Sequence, residues 1–579
     1  MKRLLLFLAT TFLCLNALAG ASEIRAQQLS PEEEEAKRAI EARVAESVEA
    51  MRRHDTPGRM AGFAPDWKGK LKDGEVITLK DLEESFRQQD RTILSVAPES
   101  GTVVDTIELN GNEATVHTSQ RFVRTVRGGD GQPVEVRTGV THKEVWVKTE
   151  RGWLSKSIEE LEQGPTFVNG VEVAQDRAGW KFVRVVWEEG VQKARAAFEE
   201  ARRRDPKAVL FDEATLNSLG YRLIQKGRVK DAIEVFKLNT EAYPQSGNVW
   251  DSLAEAYMLD GEREPAVENY KKSLDLNPKN ANAVRMLEKL GTPLAAEAVW
   301  KLLGTPPSVE LVPDVIYSEG GARPLRMHVL RPKVLPKEPM PVILFVHGGG
   351  WFEGHRNRGI GPLVHFAERG YLCASVEYRL SGEAKFPAQI EDVKEAVRFL
   401  RAKAKEFHLD PERIGVWGQS AGGHLAALLG TSGDVKALEG AGGWRKFSSR
   451  VQAVVDWNGP ADFLEPVQAK WWAERKDDAF FKLIGGPAEA NRDKAVRASP
   501  ATYATPDDPP FLIMHGDADE VVLLSQSESL HQALKRAGVD STLDVLKGAG
   551  HFGVDAVMPL PEELAATMDA FFDKNLKKK

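Results

Sequence analysis

Arg413-Ile414-Gly415-Val416-Trp417-Gly418-Gln419-Ser420-Ala421-Gly422-Gly423-His424-Leu425-Ala426-Ala427-Leu428-Leu429 reads as a short apolar strand, a Gly-x-Ser-x-Gly turn and a helix, in that order. The bare five-residue pattern is weak in a chain with 49 glycines. Its position directly behind a strand gives it weight: a serine on so sharp a turn crowds its neighbours, and glycines two before and two after relieve them. The turn exposes the serine Oγ and points a helix N-terminus at any negative charge that develops beside it. Working outward, 341–351 (PVILFVHGGGW), 371–379 (YLCASVEYR), 451–459 (VQAVVDWNG), 510–519 (PFLIMHGDAD) and 541–551 (STLDVLKGAGH) are further short apolar runs. Helical stretches such as Gln389–Phe407, Ala421–Leu429 and Ser525–Ala537 separate several of them. Strand and helix in alternation predict an α/β domain over 305–579, a mainly parallel sheet with helices on both faces.

The chemistry expected of an exposed serine needs three more parts, and each follows in chain order. His347-Gly348-Gly349-Gly350-Trp351 comes after the buried run Val342–Val346. Glycines there free backbone N–H groups to approach a tetrahedral oxyanion, and Ala421, next to the nucleophile, supplies another donor. A carboxylate comes from the loop after Pro510–His515, where Asp519 fits His-Gly-x-x-Asp and Asp517 competes from the same loop; Glu520 is a weaker choice. A base comes from His551 in Lys547-Gly548-Ala549-Gly550-His551-Phe552-Gly553, a glycine-flanked loop after the last strand. His515 at a strand end, His424 behind the serine turn and His531 on an amphipathic helix read as structural. The order Ser420, Asp519, His551 is that of nucleophile, acid and base in α/β-hydrolases. No metal and no organic cofactor is required.

HGGGW, EYRLS with FPAQIEDVKEAVRFLR, DPERIGVWGQSAGGHLAALL and HGDAD together resemble the hormone-sensitive-lipase-like carboxylesterases, most closely their bacterial feruloyl-esterase-like branch, over about residues 305 to 575. The resemblance implies that Gly349, Gly350 and Ala421 supply the oxyanion N–H groups and that Trp351 borders the acyl pocket. It implies a serine carboxylesterase acting on short-chain or aromatic acyl esters through an acyl-enzyme, with esters on plant polysaccharide among its substrates. Asp-Ala-Asp-Glu-Val-Val departs from relatives that carry proline after the aspartate, which leaves the geometry of that loop open. Trp444, Trp457, Trp471 and Trp472 read as core packing rather than as a cap. A prolyl-oligopeptidase-type peptidase shares the triad order but usually carries an N-terminal propeller. A binding or scaffold protein whose helical repeats carry the main role is the alternative from another class.

The N-terminal half has a different organisation. At 579 residues and 42% hydrophobic the chain is too long for one core and too apolar for disorder, and a net charge of −7 excludes a nucleic-acid binder that works by phosphate neutralisation. Residues 1–21 read as a signal peptide, Lys2 and Arg3 before the apolar run Leu4–Leu18 and then small residues, so export to the periplasm or medium is expected. Removing it leaves Cys373 as the only cysteine. No other segment is apolar enough to span a membrane. Pro31–Arg53 reads as a helix, and Gly101–Leu109, Glu113–Val126, Val134–Lys148 and Trp153–Leu161 as strands, so 31–165 is expected to be α+β. That pattern resembles the nuclear transport factor 2-like (SnoaL-like) cone, in which His117 and His142 read as surface or structural residues. Leu216, Leu219, Gly220, Leu223, Ala232, Phe236 and Pro244 recur 34 positions later as Trp250, Leu253, Ala254, Tyr257, Ala266, Tyr270 and Pro278. This resembles tetratricopeptide repeats over 186–292, closed by a capping helix near Asn282–Leu290, and implies either a spacer or a surface for a protein partner.

Overall fold

A computed structural model describes residues 29–127, 132–173, 177–319, 321–433, 435–475, 479–488 and 490–577. The leader read at 1–21 lies outside the described residues. The chain divides into two compact units, one reaching to Gln245 and including Glu255–Gly261, the other holding Ser246–Ala254 and Glu262–Lys579.

In the first unit, α1 (Pro31–Arg52) begins at a capping box: Ser30 Oγ accepts from the Glu33 N–H at 3.2 Å while Glu33 Oε2 accepts from the Ser30 N–H at 2.8 Å. Its apolar stripe, with Ala36 and Ile40, packs on a sheet face carrying Val104, Ile107, Val116 and Trp146. The sheet is an antiparallel meander of β1 (Gly101–Asn110), β2 (Glu113–Arg127), β3 (Pro133–Thr149) and β4 (Gly152–Gln163). Phe63–Lys70 joins it in parallel with β4, and Leu79–Thr92 is a further helix; the sequence pattern did not resolve either. In this register Thr118 lies opposite His142, so the inner face carries polar groups as well as apolar ones.

Two helices, α2 (Glu213–Gln225) and α3 (Val229–Ala242), follow in the same unit. A Cβ on Gly220 would come within 2.9 Å of Phe236 Cδ1, so only glycine lets these helices approach so closely. The division of the chain runs inside α4 (Gly247–Leu259). Next come α5 (Arg263–Leu276) and α6 (Ala281–Lys289), whose Asn280 cap accepts from the Ala283 N–H at 3.2 Å. The second unit thus starts within the helical segment, upstream of Thr305.

Its sheet has eight strands: β5 (Val309–Ser318), β6 (Leu325–Pro332), β7 (Met340–Val346), β8 (Leu372–Val376), β9 (Leu409–Gln419), β10 (Ala453–Trp457), β11 (Phe511–Gly516) and β12 (Ser541–Leu546). They lie in the order β5-β6-β8-β7-β9-β10-β11-β12. β5 with β6 and β6 with β8 pair antiparallel, and every later junction is parallel. All seven residues of β7 are buried, as expected of a run covered on both faces. The covering helices include α7 (Ile360–Glu368), α8 (Ala388–Ala402), α9 (Ala421–Thr431), α10 (Leu524–Ala537) and α11 (Glu562–Leu576). β7, β9, β11 and β12 run parallel, so His347–Gly350, Ser420, Asp519 and His551 all follow carboxyl ends of strands on one sheet edge, where such sheets place their sites.

Candidate active site

The serine turn is built as its glycines require. Ser420 sits between β9 and α9 with φ 54° and ψ −123°, a strained conformation for a side chain with a Cβ. Its N–H donates to Trp457 O at 2.7 Å, which fixes the turn against the end of β10. A Cβ on Gly422 would come within 2.6 Å of His347 O, so the glycine is what lets α9 start directly against the loop after β7.

That loop presents its peptide groups in a fixed orientation. Gly349 and Gly350 have φ of 117° and 55°, and Gly349 O accepts from the N–H groups of Phe352 at 3.1 Å and Glu353 at 3.0 Å. The C=O and N–H of one trans peptide point in opposite directions, so a pinned Gly349 carbonyl sets the direction of the Gly350 N–H. Ser420 O accepts from His424 N–H at 2.9 Å and sets that of Ala421 in the same way.

On the opposite side, His551 Nδ1 donates to Asp519 Oδ2 at 2.7 Å. Asp519 Oδ1 accepts from the N–H groups of Val521 at 2.8 Å and Val522 at 3.0 Å, and His515 Nε2 lies 3.2 Å from Oδ2. Burial pushes the Asp519 carboxyl up, but His515, His551 and the Val521 N–H outweigh it and hold the group well below the usual carboxylate range. Asp517, the competitor, instead accepts from the Gly548 N–H at 2.5 Å and sits at the surface. Among the described residues no hydrogen bond joins Ser420 Oγ to His551. Their loops are nevertheless tied: Asn458 Oδ1 accepts from the Ser420 N–H at 3.2 Å while its Nδ2 donates to Phe552 O at 2.9 Å. Gln419 Oε1 accepts from the Val554 N–H at 2.6 Å. Sequence reasoning missed Asn458 and Gln419; their only signals were a place at a strand end and one inside the motif.

The remaining histidines are held in other roles. His424 Nε2 donates to Ala498 O at 2.7 Å and its Nδ1 accepts from Trp351 Nε1 at 3.1 Å, and burial holds it neutral, down to about 4. His347 stacks on Tyr378 with ring centroids 4.4 Å apart, and burial lowers it to about 3. His515 also bonds Ser527 Oγ at 2.7 Å and Val522 O at 2.8 Å. Trp351 is buried against His424 and Phe463. Trp457 is buried between Trp417 and Phe552, and Trp444 donates to Tyr317 O at 3.2 Å; the side chains of Trp471 and Trp472 lie outside the described residues. In the first unit His117 is exposed beside Thr106 Oγ1 at 3.0 Å, and His142 is buried and lowered to about 4 by that burial. Cys373 is buried, and burial pushes its thiol up. No group of histidine, cysteine, aspartate and glutamate that could hold a metal ion occurs among the described residues.

A family model described as BD-FAE matches residues 327–534, the stretch from β6 to the end of α10. Over part of its length the chain is similar to known esterases. Esterase LipC of Mycobacterium tuberculosis is 35% identical over 259 residues, 41% of this chain and 58% of LipC. Esterase LipQ of the same organism is 31% identical over 231 residues, 39% of this chain and 53% of LipQ. A truncated carbohydrate esterase from gut microbiota is 29% identical with a TM-score of 0.42, covering 46% of this chain and 97% of that one. The chain therefore spans between half and three-fifths of the length of these two curated relatives. No described helix is long and apolar enough to cross a membrane.

Proposed function

We propose that the protein is a serine carboxylesterase that hydrolyses short-chain or aromatic acyl esters through an acyl-enzyme. The observation that carries this reading is the His551–Asp519 hydrogen bond of 2.7 Å in a loop that Asn458 ties to the Ser420 turn. His551 Nε2 takes the Ser420 proton as Oγ attacks the ester carbonyl; Asp519 holds the proton on Nδ1 and stabilises the imidazolium that forms. The N–H groups of Gly349, Gly350 and Ala421 receive the oxyanion. As it collapses, the C–O bond breaks and His551 returns the proton to the leaving alcohol. Water, activated by the same histidine, then cleaves the acyl-Ser420 ester. The resemblance of HGGGW, the Gly-x-Ser-x-Gly turn and HGDAD to feruloyl-esterase-like carboxylesterases favours acyl groups on a polysaccharide as the natural class. The leader read at the N-terminus supports an exported protein, periplasmic or secreted. Helices that begin at Glu213 and Gly247, and at Val229 and Arg263, each 34 positions apart, support reading that segment as tetratricopeptide repeats with a surface for a protein partner.

The test is turnover of p-nitrophenyl acetate by the full chain and by Ser420→Ala. The variant is expected to lose all enzyme-dependent turnover while its circular dichroism stays that of the wild type. Retained turnover would refute the assignment of the nucleophile.

A further inference from the structure

The Gly348 carbonyl, in the loop that follows β7, is held by two side chains, and the nearer is its neighbour His347, whose Nδ1 donates to it at 2.9 Å. Arg358 Nη1 donates to Gly348 O at 3.3 Å. That carbonyl belongs to the same peptide unit as the Gly349 N–H, the first of the oxyanion donors, and the two point in opposite directions. Whatever fixes Gly348 O therefore aims the Gly349 N–H into the site. Tyr378 helps from the same side, since its hydroxyl donates to His347 O at 3.0 Å.

Arg358 is itself held by a residue well outside the catalytic sheet. Its Nε donates to Glu288 Oε2 at 3.3 Å and its Nη2 lies 2.7 Å from Oε1, an ion pair in which both side chains are largely buried. Glu288 stands on α6, which a short helix, Ala296–Leu302, separates from β5, and it shares the second compact unit with the eight-stranded sheet. The same helix reaches the histidine side of the site, where Arg285 Nη1 is 3.6 Å from Asp555 Oδ1, four residues past His551. Just after α6, Leu294 O accepts from Asn357 Nδ2 at 2.7 Å, next to Arg358 in sequence. Three contacts from one short stretch thus meet the loops that follow β7 and β12. A spacer helix would need none of them. Without Glu288 the guanidinium keeps its charge and loses its carboxylate anchor, and with it a fixed direction toward Gly348 O.

We infer that Glu288 is a positioning residue for the oxyanion site, holding Arg358 against Gly348 O so that the Gly349 N–H is aimed before substrate arrives. The end of the helical segment is thereby part of the catalytic apparatus. This rests on the esterase reading above, and the experiment separates the two.

Full-length Glu288→Gln and Arg358→Lys are compared with wild type and Ser420→Ala on p-nitrophenyl acetate, with kcat, KM and the melting temperature measured for each. A trifluoromethyl ketone that forms a tetrahedral adduct on Ser420 serves as oxyanion probe. Removing an oxyanion donor outright costs 10²–10³ in kcat, and loosening one costs less, so Glu288→Gln is expected to lower kcat about tenfold. KM should stay within about twofold and affinity for the ketone should fall by the same factor as kcat, because the affected interaction exists only with the tetrahedral species. Arg358→Lys, which keeps the charge and loses the planar guanidinium that spans Glu288 and Gly348 O, should behave likewise. A wild type that is active and Ser420-dependent, with kcat and ketone affinity unchanged in both variants, would overturn this inference alone. An inert wild type, or turnover that survives Ser420→Ala, would overturn the esterase reading and this inference with it.

Discussion

Asp519→Asn is the sharpest probe of the site, because the carboxylate has a different job on each oxygen. Oδ1 accepts two backbone N–H groups, from Val521 at 2.8 Å and Val522 at 3.0 Å, and an asparagine will keep its carbonyl oxygen there. Its NH2 then occupies the Oδ2 position, 2.7 Å from His551 Nδ1. Two donors cannot face each other, so the imidazole must move its proton to Nε2, and a histidine protonated on Nε2 cannot accept the Ser420 proton. Loop and fold stay as they are while the base is in the wrong tautomer. Triad enzymes with this exchange lose about 10⁴ in kcat, which at 1.36 kcal/mol per tenfold is about 5.4 kcal/mol of barrier. The assay is kcat for p-nitrophenyl acetate at pH 7.5, with Asp517→Asn as the companion. Asp517 bonds only the Gly548 N–H among the contacts described above, and asparagine's oxygen can replace it there, so its kcat should stay within about threefold. More than a tenth of wild-type kcat in Asp519→Asn, or an equal loss in Asp517→Asn, would refute the assignment of the acid. Asp519 stays ionised throughout the neutral range, so the stability its ionised form contributes is lost only as pH falls below the ordinary carboxylate range.

Two further outcomes concern the first unit. Glu144 is buried on the inner sheet face and raised to about 7 by burial, although Thr118 Oγ1 at 2.8 Å and Trp146 Nε1 at 2.9 Å both donate to it. The unfolded chain ionises this group near 4.5 and the folded chain only near 7, so it removes stability as pH rises through that window, by roughly 3 kcal/mol at 1.36 kcal/mol per pH unit. Glu144→Gln should therefore gain in melting temperature over wild type at pH 8 and not at pH 4.5; equal differences at the two values would contradict the burial argument. His142, lowered to about 4, has the opposite sign and is common to both proteins, so it cancels in the difference. Gly220→Ala should destabilise the α2–α3 pair by about 1–3 kcal/mol, because its Cβ meets the Phe236 ring, and hydrogen exchange of those helices would register it. A variant as protected as wild type would show that Phe236 moves aside without strain.

Much of the second unit was legible in its residues because its signals are local. β7 and the first four residues of β11, Phe511–Met514, are apolar runs, and such runs announce strands covered on both faces. β5 and β6 carry mixed polarity and pair antiparallel at the sheet edge, so the same criterion passed over them. In the first unit the long meander strands were visible by alternation and tight turns, whereas Phe63–Lys70 was not, because Phe-Ala-Pro-Asp-Trp-Lys-Gly-Lys carries a proline and a glycine and buries no regular alternation of residues. A pairing between distant segments leaves no mark on either segment alone.

The site divides in the same way. Chain order alone was enough to place each candidate group after a strand: Ser420 between spaced glycines, His347–Gly350 after β7, Asp519 after β11 and His551 after β12. The folded chain was needed to show which of Asp517 and Asp519 faces His551, that Asn458 joins the serine and histidine loops, and that Glu288 reaches Arg358 beneath the loop after β7. The reason is physical. A reactive turn is strained, and its strain is relieved by neighbours in sequence, so composition records it. The direction of a hydrogen bond between side chains on separate elements depends on how those elements pack, and that is a property of the folded chain alone.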